Sequence, residues 1–330
     1  MIVMGSNSWK AGEPMARIEL PTPPPGKNQV VVDVHAIGVN PVDWKMRTAG
    51  PLRVAARALS AVQGPKPPVV IGVDFAGVVA AIGPQVSGFA PGDRVVGGCN
   101  FSRAQRGSYA DTVVVFPDQI CKVPDGVSLE IAGCLPVAGV TAHMALTEYQ
   151  PVGPHSRVLV LGASGGVGQF AVQIAKRVLG AQFVGGVCSA KNVALVRDLG
   201  ADEVFDYTAG DALQMAAAHG PYDVIVDGVG SYKAKDCRKL LARCGAHVMV
   251  AGDKPENMVQ VVVPPFRSKA ILATPDGAHI APVAQAVAQG KVVVHIAHRL
   301  PLEKAQEAHD LSQSGRVVGK IVLLVDRPTA

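Results

Sequence analysis

The stretch LVLGASGGVGQFAVQIAKRVLG, residues 159–180, places a glycine-rich turn between an apolar run and a helical pattern. The apolar run before the turn has the length of a buried strand. After the turn, apolar residues recur every three or four positions, which indicates an amphipathic helix. Gly162, Gly165, Gly166 and Gly168 crowd the turn itself. A strand, a glycine turn and a helix in this order predict the first βαβ unit of a parallel sheet.

Working outward from the turn, the chain beyond it continues to alternate strands and helices. RVLVLG, YDVIVDGV and GAHVMVAG read as strands with helical segments between them, which predicts a doubly wound parallel sheet. Before about Val123, short β-branched runs are cut by Gly and Pro, which indicates antiparallel strands in a small barrel or sandwich. The tail adds two helices and a strand. We therefore predict an α/β protein with a second, β-rich domain.

The composition limits the classes of protein that this chain can belong to. Of its 330 residues, 48% are apolar and 17% charged, so it folds, and its length favours two domains. The net charge of +5 comes from scattered residues, so we expect no nucleic acid partner. The six cysteines form no CxxC pair, which indicates a reducing compartment. With no long apolar run and no signal-peptide pattern, we expect neither a membrane span nor secretion.

The glycine turn is suited to the pyrophosphate of a dinucleotide. The N–H groups that begin a helix bind a phosphate, and close approach requires residues without a Cβ. From Ala163 the motif reads A-x-G-x-x-G, which departs from G-x-G-x-x-G at its first position. A plain strand-to-helix turn and a methyltransferase turn are the alternatives. The residues that we expect to contact the cofactor are Ser164, Gly165, Gly166 and Val167.

The residues about twenty positions beyond the turn distinguish NAD from NADP. An acid there would hold ribose hydroxyls, but residues 182–197 contain neither Asp nor Glu. Ser189, Lys191 and Asn192 stand there instead, and their hydroxyl, ammonium and amide groups suit a 2′-phosphate that an acid would repel. We therefore expect NADPH. For Lys191, a solvated lysine at a helix start is the alternative.

Four further residues are candidates because of where they fall in the predicted fold. Tyr207 ends a strand and is expected to face the adenosine, although a half-buried aromatic would explain it equally. Asp227 and Gly228 follow a strand whose carboxyl end opens on the crevice in which such sheets bind ligands. Thr141 is a candidate neighbour of the nicotinamide, and a threonine that bonds its own helix backbone is the alternative.

Motifs spread along the chain also carry a family resemblance. They are GVNPVDWK, IGVDFAGVV, GDRVVG, LPVAGVTA, GASGGVGQFAVQIAK and LGADEVFDY. In this order they resemble the medium-chain dehydrogenase/reductase superfamily in its quinone oxidoreductase branch, nearest to plant chloroplast-envelope quinone oxidoreductase homologues and alkenal/enone oxidoreductases. The resemblance implies a GroES-like catalytic domain at residues 1–126 and 275–330, and a Rossmann NADP-binding domain at residues 127–274. It also implies NADPH, a homodimer, and a location in the cytoplasm or a plastid. Lys320 joins the cofactor candidates.

The resemblance bears on metal as well. Zinc-dependent members of the superfamily carry a Cys where this chain has NPVDWK, and a His-Glu pair where it has Val73 and Asp74. Neither a thiolate nor an imidazole is available there, and Cys99 and Cys121 stand apart from any four-cysteine cluster. We therefore expect no metal, and we expect His35 and His143 to be structural.

The segment NPVDWK supplies the candidates for catalysis. Without zinc ligands, a conjugated C=C–C=O is easier to reduce than a saturated carbonyl, because hydride adds to the β-carbon and hydrogen bonds hold the enolate. We expect Lys45 to contact the cofactor or the enolate and Asn40 to orient the substrate. An ion pair of Asp43 with Lys45 is the alternative to a catalytic Asp43. Tyr109 in GSYAD is a further candidate proton donor.

These expectations favour an NADPH-dependent reductase of the C=C bond in alkenals and enones, including lipid-derived ones. The partner is then a small electrophilic carbonyl or quinone. One-electron quinone reduction, and an NADPH-binding structural or interaction protein without turnover, are the alternatives. Residues 47–68, a basic and apolar segment, are expected to form a wall of the substrate pocket. A surface insertion, or a peripheral membrane contact through its arginines, is the alternative for that segment.

Overall fold

The chain forms two compact units in a computed structural model. The structure describes residues 1–48, 50, 53–54, 57–58, 67–103, 105–250, 259, 261–262, 266–271, 273 and 275–326. The first unit comprises Met1–Val137, Pro275–Ala288 and Ile296–Ala330. The second comprises Ala138–Thr274 and Gln289–His295. Most of the segment at residues 47–68, expected to line the substrate pocket, lies outside the described residues.

Strands dominate the first unit, whereas strands and helices alternate in the second. The strands are β1 (Ile2–Ser6), β2 (Ala16–Glu19), β3 (Val30–Val39), β4 (Val69–Val70), β5 (Asp74–Ile82), β6 (Arg94–Gly98), β7 (Thr112–Val115), β8 (Ile120–Lys122), β9 (Arg157–Leu161), β10 (Phe183–Cys188), β11 (Glu203–Asp206), β12 (Tyr222–Asp227), β13 (Leu241–Met249), β14 (Ser268–Ala270), β15 (Ile296–Pro301) and β16 (Lys320–Leu324). The helices are α1 (Pro41–Arg47), α2 (Leu129–Ala132), α3 (Pro136–Met144), α4 (Gly166–Gln173), α5 (Val193–Asp198), α6 (Ala212–Ala217), α7 (Ala234–Lys239), α8 (Gly277–Ala288) and α9 (Ala305–Gln313).

The first unit is built on a seven-stranded sheet in the order β15-β16-β3-β5-β6-β8, with β7 paired to β3. A smaller sheet has the order β2-β1-β4. Pairing is antiparallel throughout the large sheet except between β15 and β16. The β-branched run of β3 buries Val30, Val32 and Val34 against Phe75, which is the alternation expected of a strand with one face in the core.

Helix α1 places the NPVDWK segment at the end of β3. Asn40 is its N-cap in extended conformation, and the Asn40 backbone N–H donates to the Asp43 carboxylate at 2.8 Å. Pro41 occupies the first helical position, where its missing N–H costs nothing and its fixed φ suits the helix. Helix α1 packs against α9, which brings residues from opposite ends of the chain together.

The second unit confirms the predicted doubly wound sheet. Its six parallel strands have the order β11-β10-β9-β12-β13-β14, so the chain reverses direction across the sheet between β9 and β12. Such a switch point is where doubly wound sheets bind ligands, at the carboxyl ends of the strands. Leu159, Leu161 and Ile225 are fully buried in these central strands, as the near-continuous apolar runs predict.

The unit boundaries differ from those expected from the sequence. The first unit extends to Val137 rather than residue 126 because α2 packs on β3 and β5. Residues 289–295 belong to the second unit, where Gln169 and Gln173 on α4 accept hydrogen bonds from the backbone N–H groups of His295 and Val293 at 2.7 and 2.8 Å. The strand β15 and the helix α6 were not predicted. No helix in the described part of the chain is long and apolar enough to cross a membrane.

Candidate active site

The first unit contains a buried polar network at the end of β3. The Lys320 ammonium, 2% exposed, donates to the Asn40 side-chain oxygen at 2.5 Å and to the Val39 carbonyl at 3.1 Å, and lies 3.7 Å from the Asp74 carboxylate. The Asn40 amide nitrogen donates to Asp74 at 2.8 Å. The other Asp74 oxygen accepts from the Val137 N–H at the start of α3. A buried charge requires this degree of pairing, and the network supplies it.

A second group of buried polar residues adjoins this network through Asn40. The Asp43 oxygen that accepts from the Asn40 N–H also accepts from the Tyr109 hydroxyl at 3.2 Å. The Tyr109 oxygen lies 3.0 Å from Nε2 of His309, and Nδ1 of His309 lies 3.2 Å from Arg47. Sequence reasoning named Asn40, Asp43 and Tyr109. It missed His309 and Arg47 because neither stands in a motif.

Burial dominates the electrostatics of this second group. Desolvation raises the pKa of Asp43 to about 7, and the nearby Asp74 carboxylate contributes in the same direction. Desolvation lowers the pKa of His309 to about 3, assisted by the Arg47 charge, so this imidazole is neutral. Desolvation and the Asp43 carboxylate hold the pKa of Tyr109 well above its usual value. Near neutral pH, Asp43 is therefore the residue of the group that titrates.

The residues at the family's zinc positions do not fit that ion. Asp74 is the one candidate donor in the described part of IGVDFAG, and its neighbour is the Lys320 ammonium, whose positive charge would repel a divalent cation. Burial raises the pKa of the nearby Cys99 thiol, which disfavours a thiolate. The donor set is therefore that of a buried ammonium site, in line with the expectation of a zinc-independent protein. Lys320 itself is engaged as a counter-ion, so contact with a cofactor would require it to leave these acceptors.

In the second unit, the glycine turn has the geometry of a phosphate cradle. Gly162 has φ of +76°, a conformation that favours glycine. A Cβ on Gly168 would lie 2.1 Å from the Gly162 carbonyl oxygen, so this position requires glycine for packing. Gly165 is the N-cap of α4 and has no side chain to satisfy the first N–H groups of the helix. These N–H groups can bind an anion, and the turn therefore fits a pyrophosphate.

The structure brings together the polar residues predicted on either side of this turn. The Asn192 amide donates to the Ser164 hydroxyl at 3.0 Å and lies 3.4 Å from the Ser189 hydroxyl. Lys191 beside them is exposed, and Tyr207, which is 54% exposed, follows β11 on the neighbouring strand. These residues form a donor-rich edge at the carboxyl ends of β10 and β11.

One acidic residue at this edge was not anticipated. Asp206 is the last residue of β11, in register with Cys188. Its carboxylate accepts from the Thr208 N–H and hydroxyl at 2.9 and 2.7 Å, and these bonds, together with one from the Ala190 N–H, lower its pKa. The expected position of an acid lies directly after β10, where the chain has none. The parallel pairing of β11 with β10 instead brings this carboxylate beside Ser189 and Lys191.

Of the remaining candidates of the second unit, Asp227 and Thr141 are buried and Gly228 is exposed. The Asp227 carboxylate accepts from the Val229 and Gly230 N–H groups at 3.0 and 2.8 Å and lies 3.3 Å from the His247 imidazole. These bonds shape the loop that contains Gly228. Cys237 lies within 4.8 Å of the same donor atoms, a grouping that the sequence did not predict. Thr141 is buried on α3.

Lys45 lies on α1 with its ammonium 5.7 Å from the centre of the Trp44 ring, and its side chain is half-buried. The geometry disfavours an ion pair between Asp43 and Lys45, because Asp43 accepts its hydrogen bonds from Asn40 and Tyr109. The roles assigned to Lys45 and the other site residues remain predictions.

Comparison with known proteins gives matches along most of the chain. The alcohol dehydrogenase GroES-like domain family matches residues 26–125, and the zinc-binding dehydrogenase family matches residues 199–323. The chloroplastic quinone-oxidoreductase QR1 of Triphysaria versicolor is 32% identical over 94% of this chain and 93% of its own length. A trans-enoyl reductase of Pyricularia grisea is 35% identical over 74% of this chain and 66% of its own length.

Solved structures agree with these relatives. The quinone oxidoreductase from Coxiella burnetii superposes with a TM-score of 0.87 at 28% identity, covering 99% of each chain. A mycobacterial protein complexed with NADPH superposes with a TM-score of 0.78 at 26% identity, covering 98% of this chain and 100% of that one. The fold, the glycine turn and these similarities lead to one conclusion. This chain belongs to the medium-chain dehydrogenase/reductase superfamily of oxidoreductases, in its quinone oxidoreductase branch.

Proposed function

We propose that this oxidoreductase uses NADPH to reduce the C=C bond of α,β-unsaturated carbonyl compounds. The observation that carries the proposal is the donor-rich edge of the second unit. There the Asn192 amide links Ser164 in the glycine turn to Ser189 after β10. A pyrophosphate on the turn and a 2′-phosphate on these donors match the two anionic groups of NADPH. The exposed ammonium of Lys191 adds a positive charge at the same edge. It opposes the negative charge of Asp206, whose carboxylate is bonded to Thr208 and to the Ala190 N–H.

The donor chemistry of the first unit supports reduction of a conjugated bond. Bound NADPH supplies a hydride, and the protein must then stabilise an enolate and provide a proton. The half-buried Lys45 ammonium on α1 is a donor suited to an enolate oxygen. The Asn40 amide nitrogen is bonded to Asp74 and the Gly38 carbonyl, so it would have to leave these acceptors to orient a substrate. One relative is named a trans-enoyl reductase, and this name indicates reduction of a conjugated double bond.

Quinone reduction is the second candidate because several relatives are named quinone oxidoreductases. A quinone is itself a conjugated carbonyl, so the same donors would serve its reduction, and the product distinguishes a two-electron from a one-electron reaction. We further propose that the protein forms a homodimer. We also propose a location in a plastid or in the cytoplasm, and the plastid is suggested by the chloroplastic relative QR1.

The test is NADPH consumption with three matched acceptors: a medium-chain 2-alkenal, its saturated analogue and a small quinone, each with identification of the product. We expect the 2-alkenal to yield the saturated aldehyde while the saturated analogue is inert. Turnover of the quinone alone would replace this proposal by quinone reduction. Tight NADPH binding with no turnover of any acceptor would favour a binding function instead.

A further inference from the structure

The hydrogen bonds that join Arg47, His309, Tyr109 and Asp43 have one possible direction. An arginine has only donors, so Nδ1 of His309 must accept from Arg47. Because this imidazole is neutral, its proton is on Nε2, which therefore donates to the Tyr109 oxygen. The Tyr109 hydroxyl hydrogen is then directed to Oδ2 of Asp43. Each donor in this chain of four residues points toward the carboxyl group.

The charges around Asp43 favour its neutral form. Two buried carboxyl groups, Asp43 and Asp74, share one buried ammonium, that of Lys320. That ammonium lies 3.7 Å from Asp74 and is bonded to Asn40, so Asp74 is the carboxylate that it neutralises. Arg47 is directed to His309 and to Gln306. Within the described part of the chain, Asp43 is therefore buried without a cation bonded to it, and a proton is the cheapest way to remove its charge.

The two oxygens of Asp43 are not equivalent. Oδ2 accepts two hydrogen bonds, from the Asn40 N–H and the Tyr109 hydroxyl. Oδ1 is buried and has no partner among the described residues. An oxygen that already accepts two hydrogen bonds is a poor place for a further proton. The acidic proton of Asp43 therefore belongs on Oδ1. Because this oxygen is buried, the residues that cover it must move aside before the proton can be given to a ligand.

We infer that Asp43 is the proton donor of the proposed reduction, acting through Oδ1, and that Tyr109, His309 and Arg47 are positioning residues that orient it. This inference rests on the proposed function. It replaces Tyr109 as donor, because the Tyr109 hydroxyl hydrogen is committed to Oδ2 of Asp43.

The proposed reduction takes a hydride from NADPH and a proton from Asp43. The hydride adds to the β-carbon, the C=C π bond breaks, and its electron pair moves to the α-carbon and the carbonyl oxygen. The Asp43 Oδ1–H bond then breaks and its proton passes to the enolate. Asp43 becomes a carboxylate whose charge is held by the Asn40 N–H and the Tyr109 hydroxyl on Oδ2. A proton from water restores the acid before the next turnover.

Several groups set the pH range of this donor. Asp74 on β5 and Lys320 on β16 act on Asp43 in opposite directions. Tyr109, which precedes β7, and the Asn40 N–H favour the carboxylate by donating to it. His309 on α9 and Arg47 on α1 act through Tyr109. Burial outweighs all of these and places the pKa of Asp43 at about 7, so the acid is available near neutral pH.

The first experiment needs no turnover. Infrared difference spectra, recorded between pH 5 and 9, detect the C=O stretch of a protonated carboxylic acid. We expect a band that disappears with a midpoint near pH 7 and is absent from Asp43→Asn. Tyr109→Phe should raise the midpoint, because it removes a donor to the carboxylate. Asp118→Asn, a matched change at an exposed pair with Arg103, should leave the band intact. A wild-type protein without this band at pH 6 would overturn the inference.

The orientation of the chain of hydrogen bonds has its own readout. In ¹⁵N NMR spectra, His309 should give the signature of the Nε2–H tautomer across this pH range. His309→Gln can accept from Arg47 and donate to Tyr109 in the same direction, so it should preserve the infrared midpoint, whereas His309→Leu should shift it. An Nδ1–H tautomer would refute the proposed direction.

Turnover then tests the donor itself. With an enone that the wild type reduces, Asp43→Asn should lower kcat at pH 6 by about 100-fold or more. Tyr109→Phe should retain kcat within about tenfold and move its pH profile toward higher pH. If Tyr109→Phe has the larger loss and Asp43→Asn the smaller, Tyr109 is the donor and the inference is wrong. If the wild type reduces no enone but the band and tautomer are found, the proposed function fails while the protonation state of Asp43 stands.

Discussion

The opposite pKa shifts of Asp43 and His309 predict that each residue masks the effect of the other on the pH dependence of stability. The pKa of Asp43 is about 7 in the folded chain, against an ordinary value of 3.8. Between these values the folded state holds a proton that the unfolded chain has lost, so stability falls as pH rises. The pKa of His309 is about 3, against an ordinary value of 6.5. Between these two pH values His309 is protonated in the unfolded chain and neutral in the folded one, so stability rises with pH.

The magnitudes follow from about 1.4 kcal/mol for each unit of pKa shift across the range where the two states differ in protonation. From pH 4 to 6.5, Asp43→Asn should gain about 3 kcal/mol of stability relative to the wild type, because the cost of keeping Asp43 protonated is gone. Over the same range His309→Gln should lose about 3 kcal/mol relative to the wild type. The double variant should follow the wild type, because the two contributions cancel.

Urea denaturation followed by tryptophan fluorescence measures this directly. Both tryptophans, Trp9 and Trp44, belong to the first unit, as do Asp43 and His309, so the signal reports on the part of the chain that is changed. The comparison is the difference in unfolding free energy between variant and wild type at each pH, which removes the titration of other groups. A difference that does not vary between pH 4 and 6.5 for either single variant would show that the pKa values of Asp43 and His309 are not shifted in this way by folding.

Three further changes test the cofactor and active sites. Ser189→Asp combined with Lys191→Ala should weaken NADPH by about 100-fold and NADH much less, because it replaces donors to a 2′-phosphate by an acid; equal losses in fluorescence titrations would argue against that assignment. Gly165→Val should abolish binding of both cofactors, since its backbone φ of −80° admits a side chain that would then block phosphate approach; titration showing retained affinity would remove the turn as the pyrophosphate site. Lys45→Ala should lower kcat/KM on an enone by about 100-fold with an unchanged thermal unfolding midpoint, and unchanged kinetics would return Lys45 to a structural role.

The second unit was predictable from the sequence because its signals are local. The strand, glycine turn and helix at residues 159–173 are consecutive, and the apolar runs of central parallel strands stand out without knowledge of their partners. The helix was expected to continue to residue 179, and α4 is indeed followed without a break by a π-helical segment, Ile174–Val178. β15 was missed because IAHRLP alternates too weakly to be recognised as a strand.

The active site was predictable only in part because its contacts join distant residues. Asn40 and Asp43 stand in one motif, so their hydrogen bond is local. His309 reaches Tyr109 across 200 positions, and Lys320 reaches Asn40 across 280. Nothing in the spacing of those residues indicates such contacts. Asp206 was missed for a related reason, since it reaches the donor-rich edge through the register of β11 on β10.

The long separation between Asp74 and Lys320 along the chain has a consequence for synthesis on the ribosome. The strands of the parallel sheet all lie within residues 157–270, so that sheet can form as soon as they emerge. Lys320, the cation that lies near Asp74 in the folded chain, is made 320 − 74 = 246 residues after it. This takes about 10 to 50 s at common rates of translation. During that interval residues 36–39 of β3 also lack their partner strand β16 and leave an unpaired, apolar strand edge. The first unit therefore cannot complete its buried charge pair or its large sheet until residues 320–324 have been made.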